Sequence, residues 1–174
     1  MLREAPAAMM YPFLAWLEAT GLSAWIRESP SMFAFPAILS LHTIGMGLVA
    51  GISAVVDLRV LGWAPGVPLS SMRRFFPVLW FGFWLNAGSG VMLFIAYPTK
   101  AVTNPVFYMK LLFIAAAMGI LKVMTPRLSL LANQEKSASR LRALAAASLV
   151  CWVTVITAGR LLAYTYVRLM TLDV

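Results

Sequence analysis

The long apolar runs of this sequence contain three ionisable residues well inside them, His42, Lys110 and Arg160, and one amide, Asn86. Histidine, lysine and arginine inside a membrane-length apolar run are costly to bury and usually mark a functional site. Imidazole can bind a metal or transfer a proton, the two cations can bind an anion, and the amide can hydrogen-bond across helices. We therefore take these four residues as the candidate site.

Depth along the helix axes places these residues in one layer. His42 lies nine residues into the first apolar run, and Lys110 lies about five residues into the third, which enters from the same side. Asn86 is eleven residues before the end of the second run, and Arg160 is about seven before the end of the fourth. At a rise of 1.5 Å per residue, all four lie roughly 6–17 Å below one surface.

Each residue also has a structural interpretation. Lys110 and Arg160 can extend their aliphatic stems and place their charges at the membrane surface. Asn86 can join two helices by a hydrogen bond. His42 lies nearer mid-membrane, where a neutral imidazole bonded to a hydroxyl or backbone group is the alternative to a metal ligand.

The elements that carry these residues are predicted to be transmembrane helices. Of 174 residues, 61% are hydrophobic and 11% are charged, which leaves an apolar surface that suits lipid. Backbone groups in lipid must bond within their own segment, so the runs form helices. The fold class is all-α: an integral membrane four-helix bundle (31–174) after an N-terminal interfacial segment (1–30). The predicted spans are Phe33–Val56, Phe75–Tyr97, Val106–Met124 and Ala143–Val167.

Three segments lie outside these spans. Residues Tyr11–Arg27 mix apolar with charged side chains and predict one amphipathic helix in the headgroup plane. The stretch Asn133–Arg142 is the long hydrophilic loop. Asp57 is placed at the membrane edge, in a salt bridge to Arg59 or a neighbouring basic residue.

Within the bundle, the spacing Gly47-x-x-x-Gly51 predicts a close helix contact.

The net charge of +8 is spread over short segments between the spans, which argues against a nucleic-acid partner. The loops after the first and third spans hold most of the basic residues, so that side is predicted to be cytoplasmic and both termini periplasmic. The one cysteine, Cys151, excludes a disulfide within the chain and CxxC motifs.

Two motifs carry a resemblance to a known family. The segment Leu41-His42-Thr43, followed by Asp57-Leu58-Arg59-Val60-Leu61-Gly62, resembles a family of uncharacterised four-helix bacterial inner-membrane proteins with a first-span histidine and a D-L-R-x-L-G motif. The segment Asn104–Lys110 is similar to its N-P-x-F-x-x-K pattern. More distantly, the first-span histidine and third-span lysine resemble the four-helix membrane protoporphyrinogen oxidases, and copper-resistance D-type proteins share the layout.

The distant resemblance implies a haem b site. His42 would be the metal ligand, Lys110 a required lysine that could serve as a second ligand, and Arg160 a partner for a propionate, with Asn86 beside them. The expected function is a b-type haem protein of the bacterial inner membrane that transfers electrons or oxidises a lipophilic substrate, with a quinone or a redox protein as partner.

The alternative is a non-catalytic subunit or anchor, in a larger membrane complex or a homo-oligomer, whose polar layer serves helix packing. A transporter is disfavoured because the predicted spans contain no acidic residue and no repeat. A copper site is disfavoured because one histidine and scattered methionines form no ligand cluster.

Overall fold

A computed structural model describes residues 5–63, 65–127 and 135–170, and every regular element in these ranges is helical. The α-helices are α1 (Ala5–Glu18), α2 (Gly21–Glu28), α3 (Phe35–Leu61), α4 (Leu69–Met72), α5 (Phe76–Ala96), α6 (Pro98–Thr103), α7 (Pro105–Met124) and α8 (Glu135–Met170). Short 3₁₀ turns, Arg73–Phe75 and Thr125–Arg127, follow α4 and α7.

Four of these helical segments are long and apolar enough to cross a membrane: Phe35–Leu61, Arg73–Ala96, Pro105–Met124 and Ser139–Leu162. The predicted fold class, an all-α membrane four-helix bundle, is therefore confirmed. We call the end of the bundle where α3 begins and α8 ends the terminal end, and the opposite end the loop end.

The N-terminal amphipathic segment forms two helices where the sequence predicted one. The break comes at Thr20, whose hydroxyl accepts a hydrogen bond from the backbone N–H of Ser23 and so caps α2. Ile26 of α2 is fully buried against the bundle, whereas Trp16 of α1 and Trp25 of α2 are exposed. The segment thus packs one side on the bundle and presents aromatic side chains on the other.

Helix α3 is central, since it packs against both α5 and α8, and α7 completes the bundle by packing on α8. The α3–α8 pairing is antiparallel: Val56 and Val60 share one core cluster with Leu141, and Val49 shares another with Val155. The helix order across the bundle is therefore α5, α3, α8, α7.

Helices α5 and α7 meet through side chains at the terminal end, where the rings of Phe94 and Phe107 stack with centroids 6.0 Å apart. Towards the loop end they border a cavity of about 190 Å³, lined by Phe76, Trp80, Met118, Leu121, Lys122, Thr125 and Pro126. The seam between these two helices is thus more loosely packed than the contacts of α3.

The close approach of α3 to α5 depends on Gly45 and Gly82. A Cβ atom at Gly45 would lie 2.6 Å from the backbone nitrogen of Asn86, and one at Gly82 would lie 2.6 Å from Cβ of Leu48. Gly47 and Gly51 have nothing within 4 Å of an added Cβ. The predicted small-residue contact exists on α3, but on the face of Gly45, because Gly47 and Gly51 point away from α5.

Two predicted boundaries were wrong. Helix α3 continues to Leu61, five residues beyond Val56, and ends where Gly62 adopts a left-handed conformation with φ of 106°. Residues 135–142 of the predicted hydrophilic loop form the first turns of α8, and Asn133 and Gln134 lie outside the described residues. Asp57 is consequently inside a helix.

Candidate functional site

The ring of His42 on α3 is held against α5. Its Nδ1 atom lies 3.1 Å from the backbone oxygen of Asn86 and 3.2 Å from Oγ of Ser89. Gly90 makes room for the ring, because a Cβ atom there would lie 3.2 Å from Cε1 of His42. One turn of α5 therefore supplies both the polar partners and the space for the imidazole.

Asn86 forms the return contact from α5 to α3. Its Nδ2 atom donates a 2.7 Å hydrogen bond to the backbone oxygen of His42 and lies 3.4 Å from Nδ1 of the same residue. The two residues are thus joined by two contacts, each using the backbone oxygen of one and the side chain of the other. Together these contacts fix the register of α3 against α5 at this level.

The neighbours of Nδ1 indicate the tautomer of His42. The Ser89 hydroxyl donates to the backbone oxygens of Leu85 and Asn86, so its oxygen faces Nδ1 as an acceptor. The backbone oxygen of Asn86 is also an acceptor, and both acceptors are nearer to Nδ1 than the Nδ2 donor of Asn86, so a proton on Nδ1 satisfies the shortest contacts. Nε2 then carries the lone pair, which is the arrangement found in metal-binding histidines whose other nitrogen donates to a carbonyl.

Lys110 approaches this lone pair from α7. Its Nζ lies 3.3 Å from Nε2 of His42 and close to Gly159 of α8, where an added Cβ would be 3.8 Å from Nζ. The start of α7 fixes the depth of the lysine: Asn104 caps the helix by accepting from Val106 N, and Pro105 takes the first position. Lys110 is therefore the sixth residue of α7 and points into the bundle.

Three of the four predicted residues meet: His42, Asn86 and Lys110 form one hydrogen-bonded group with Ser89, which we call the His42 cluster. Arg160 follows Gly159 on α8, but its side chain is exposed and lies outside the hydrogen bonds of this group. Ser89 was not among the predicted residues. The available signal was its position three residues after Asn86, on the same helical face.

The environment of Asp57 differs most from the prediction, which placed this residue in a salt bridge at the membrane edge. Its side chain is 1% exposed and accepts a hydrogen bond from the Ser148 hydroxyl on α8. Arg59 instead donates from its guanidinium to the backbone oxygens of Pro65 and Val67 in the following loop. The predicted salt bridge to Arg59 was wrong because α3 continues past both residues, and helical residues two apart do not face each other.

The His42 cluster can be tested for its fit to a metal or haem iron. Among the described residues, no three His, Cys, Asp or Glu side chains lie together in a group that could hold a metal ion. Nε2 of His42 could supply one nitrogen ligand, since in this tautomer the atom carries a lone pair and no proton. Two nitrogen ligands on opposite sides of a metal are about 4 Å apart, given roughly 2.0–2.1 Å per bond.

The 3.3 Å between Lys110 and His42 is therefore a hydrogen-bond distance, and it is too short for an ion between the two nitrogens. Iron binding at Nε2 requires the amine to move away, which the flexible four-carbon stem of lysine permits.

Comparisons of the chain with family models, with curated proteins and with solved structures found no match. The resemblance drawn from the sequence motifs stays a prediction.

Proposed function

We propose that this multi-pass membrane protein binds haem b through Nε2 of His42 and transfers electrons or oxidises a lipophilic substrate such as a quinol or a porphyrin. The observation that carries the proposal is the anchored imidazole. Nδ1–H donates to the backbone oxygen of Asn86, so the Nε2 lone pair faces the interior between the helices. A four-helix bundle commonly houses cofactors between facing helices.

The other residues have supporting roles in this proposal. Asn86 and Ser89 hold the imidazole plane, and Lys110 supplies a hydrogen-bond donor or a positive charge beside the ligand. Arg160, on the exposed side of α8, provides a cation for a carboxylate at the bundle surface. Haem, when bound, would supply one-electron chemistry, and the chain sets its ligand, its burial and its hydrogen bonds.

The test is the visible spectrum of the purified protein. We expect a Soret band in the wild type, with α and β bands after reduction, and loss of all three in His42→Ala. Circular dichroism checks that the variant retains its helices. Thr43→Ala is the matched control, because that neighbouring hydroxyl is exposed and bonds only within α3.

A normal haem spectrum in His42→Ala would rule out this ligand, since His42 is the one histidine of the chain. The ratio of pigment to protein distinguishes one haem per chain from one haem shared by two chains. A colourless, fully folded preparation would favour the second candidate function.

That second function is a non-catalytic subunit or anchor of a larger membrane complex. One observation favours it: the polar side chains of the His42 cluster are bonded to one another or to backbone, as in a purely structural contact between helices. Co-purification of stoichiometric partner subunits, together with a colourless preparation, would support this function over haem binding.

We further propose that the membrane is the bacterial inner membrane and that both termini are periplasmic. The loop end carries Arg59, Arg73, Arg74, Lys122, Arg127, Lys136, Arg140 and Arg142, whereas the terminal end carries Arg27, Lys100 and Arg168. Arg3, which the sequence predicts on the terminal side, lies outside the described residues. The more basic side of an inner-membrane protein is normally cytoplasmic. Reporter fusions after Pro65 should report cytoplasm and those after Thr103 periplasm, and the reverse pattern would contradict the proposed orientation.

A further inference from the structure

A second buried polar group lies between α3 and α8, towards the loop end. It consists of Ser53 and Asp57 on α3 and of Ser148 and Trp152 on α8, and each is at most 3% exposed. We call these four residues the Asp57 cluster. Asp57 is four residues before the end of α3, which is a depth of roughly 6 Å.

The helix register brings these four side chains together. Ser53 and Asp57 are one turn apart on the same face of α3, as are Ser148 and Trp152 on α8. Asp57 accepts from the Ser148 hydroxyl, which sets these two residues opposite each other. Because the helices are antiparallel, Ser53 is then level with Trp152, in agreement with the contact of Trp152 with the core around Val49.

Three polar atoms of the Asp57 cluster are buried without a hydrogen-bond partner: Oδ2 of Asp57, Oγ of Ser53 and Nε1 of Trp152. An unpaired buried polar group is unfavourable, and three in one place can be satisfied together by one small polar partner. The set contains an indole N–H donor, a carboxyl oxygen and a hydroxyl, which can both donate and accept.

Basic side chains near Asp57 are directed elsewhere. Arg59 on its own helix bonds to loop carbonyls, and the basic residues Arg73, Arg74 and Lys122, on the neighbouring elements, are exposed. On α8 the facing titratable group is the buried Cys151 thiol, and Arg140 and Arg142 are exposed. Within the described part of the chain, no ion pair involves Asp57. A buried carboxylate without a cation is unfavourable, and a neutral carboxylic acid avoids that cost.

We propose that the Asp57 cluster is a site for a water molecule and an exchangeable proton, in which the water bridges Asp57, Ser53 and Trp152. A buried water typically makes about three hydrogen bonds to such atoms. A sodium ion would suit the two oxygens, but the N–H of Trp152 is a donor and cannot ligate a cation. A water molecule accepts a hydrogen bond from this N–H and can also form hydrogen bonds with Oδ2 of Asp57 and Oγ of Ser53.

The bridge accommodates both charge states of the carboxyl group. When Asp57 is protonated, its O–H donates to the water, which also accepts from Trp152 and donates to Ser53. When the proton leaves for solvent water as hydronium, the bridging water turns and donates to Oδ2, while Ser53 donates to the water. The proton is thus exchanged without leaving a buried polar atom unpaired.

Infrared spectroscopy of the full-length protein in lipid nanodiscs tests the proposal. At neutral pH we expect the C=O stretch of a protonated carboxyl group, shifted on transfer to D₂O and absent in Asp57→Asn. The asparagine variant keeps the volume and the acceptor for Ser148. Absence of the band from the wild type would overturn the proton site.

Separate substitutions test the water bridge. Trp152→Phe and Ser53→Ala each remove one partner of the water, so both should shift the Asp57 band, whereas Trp84→Phe on the exposed face of α5 should not. An unchanged band in both variants would overturn the bridge. Water density between the three atoms in an experimental map would support it, and a sodium-dependent loss of the band would assign the site to a cation instead. None of these measurements depends on haem.

Discussion

The His42 cluster and the Asp57 cluster both bury polar atoms in an apolar bundle, but they differ in how those atoms are paired. Around His42, side chains and backbone from α3, α5 and α7 bond to one another. Around Asp57, side chains from α3 and α8 leave three atoms unpaired. The bonds around His42 therefore fix the orientation of its imidazole, whereas the unpaired atoms around Asp57 have capacity for a further polar partner.

The two clusters also differ in the contact on which they depend. The His42 cluster needs the close approach of α3 to α5, which the absence of a side chain at Gly45 and Gly82 allows. The Asp57 cluster lies on the opposite contact of α3, with α8. Perturbing one helix contact should therefore leave the other cluster intact, and this separation yields the predictions below.

The largest effect is expected from Gly45→Ala. Its Cβ would lie 2.6 Å from a backbone nitrogen of α5, so the helices must separate, at a cost of about 1–3 kcal/mol of unfolding free energy. Gly47→Ala on the same helix is the control, because nothing lies within 4 Å of its Cβ. Unfolding in mixed micelles measures both, and equal stability of the two variants would contradict the described α3–α5 contact. The Asp57 carboxyl band should persist in Gly45→Ala.

A smaller effect is expected from Asn86→Ala, which removes the 2.7 Å bond to the backbone oxygen of His42. Interhelical hydrogen bonds in membranes contribute about 0.6 kcal/mol on average and up to about 1.7. Thr43→Ala, whose hydroxyl bonds within its own helix, should cost less in the same unfolding assay. Equal losses would show that the Asn86 bond adds no stability between the helices.

The smallest effects concern the proposed haem. Lys110→Met keeps the length of the stem and removes the amine 3.3 Å from Nε2, so the absorption maxima or the midpoint potential should shift while haem is retained. Arg160→Ala should only weaken retention, since its side chain lies outside the His42 cluster. Redox titration followed optically compares the two variants. A larger change in ligand field from Arg160→Ala would reverse the assigned roles.

Depth could be predicted from the sequence because the helical rise is constant, and His42, Asn86 and Lys110 do meet in one layer. The side of the helix on which each residue lies was harder to predict. Arg160 has a suitable depth but is exposed, and Gly47 has the spacing of a contact motif but points away from α5. In a helix that is apolar on all sides, no polar face indicates which side meets a neighbour.

The Asp57 cluster was missed for a different reason. Asp57 and Arg59 are charged residues near the end of an apolar run, a pattern that usually marks the membrane edge. Burial of Asp57 follows from the continuation of α3 to Leu61 and from the position of Ser148, which is 91 residues later in the chain. Without the pairing of α3 with α8, no local signal separates a buried aspartate from one at the surface.

The helix order α5, α3, α8, α7 has a consequence for the assembly of the chain during synthesis. Helices α3 and α5 are consecutive spans that pack against each other, so both helices of this hairpin are synthesised before α8. The bonds between His42 and Asn86 belong to this first hairpin, whereas Lys110 belongs to the second, formed by α7 and α8. The α5 partners of His42 are thus synthesised before Lys110, and the two hairpins pack together through α3 and α8.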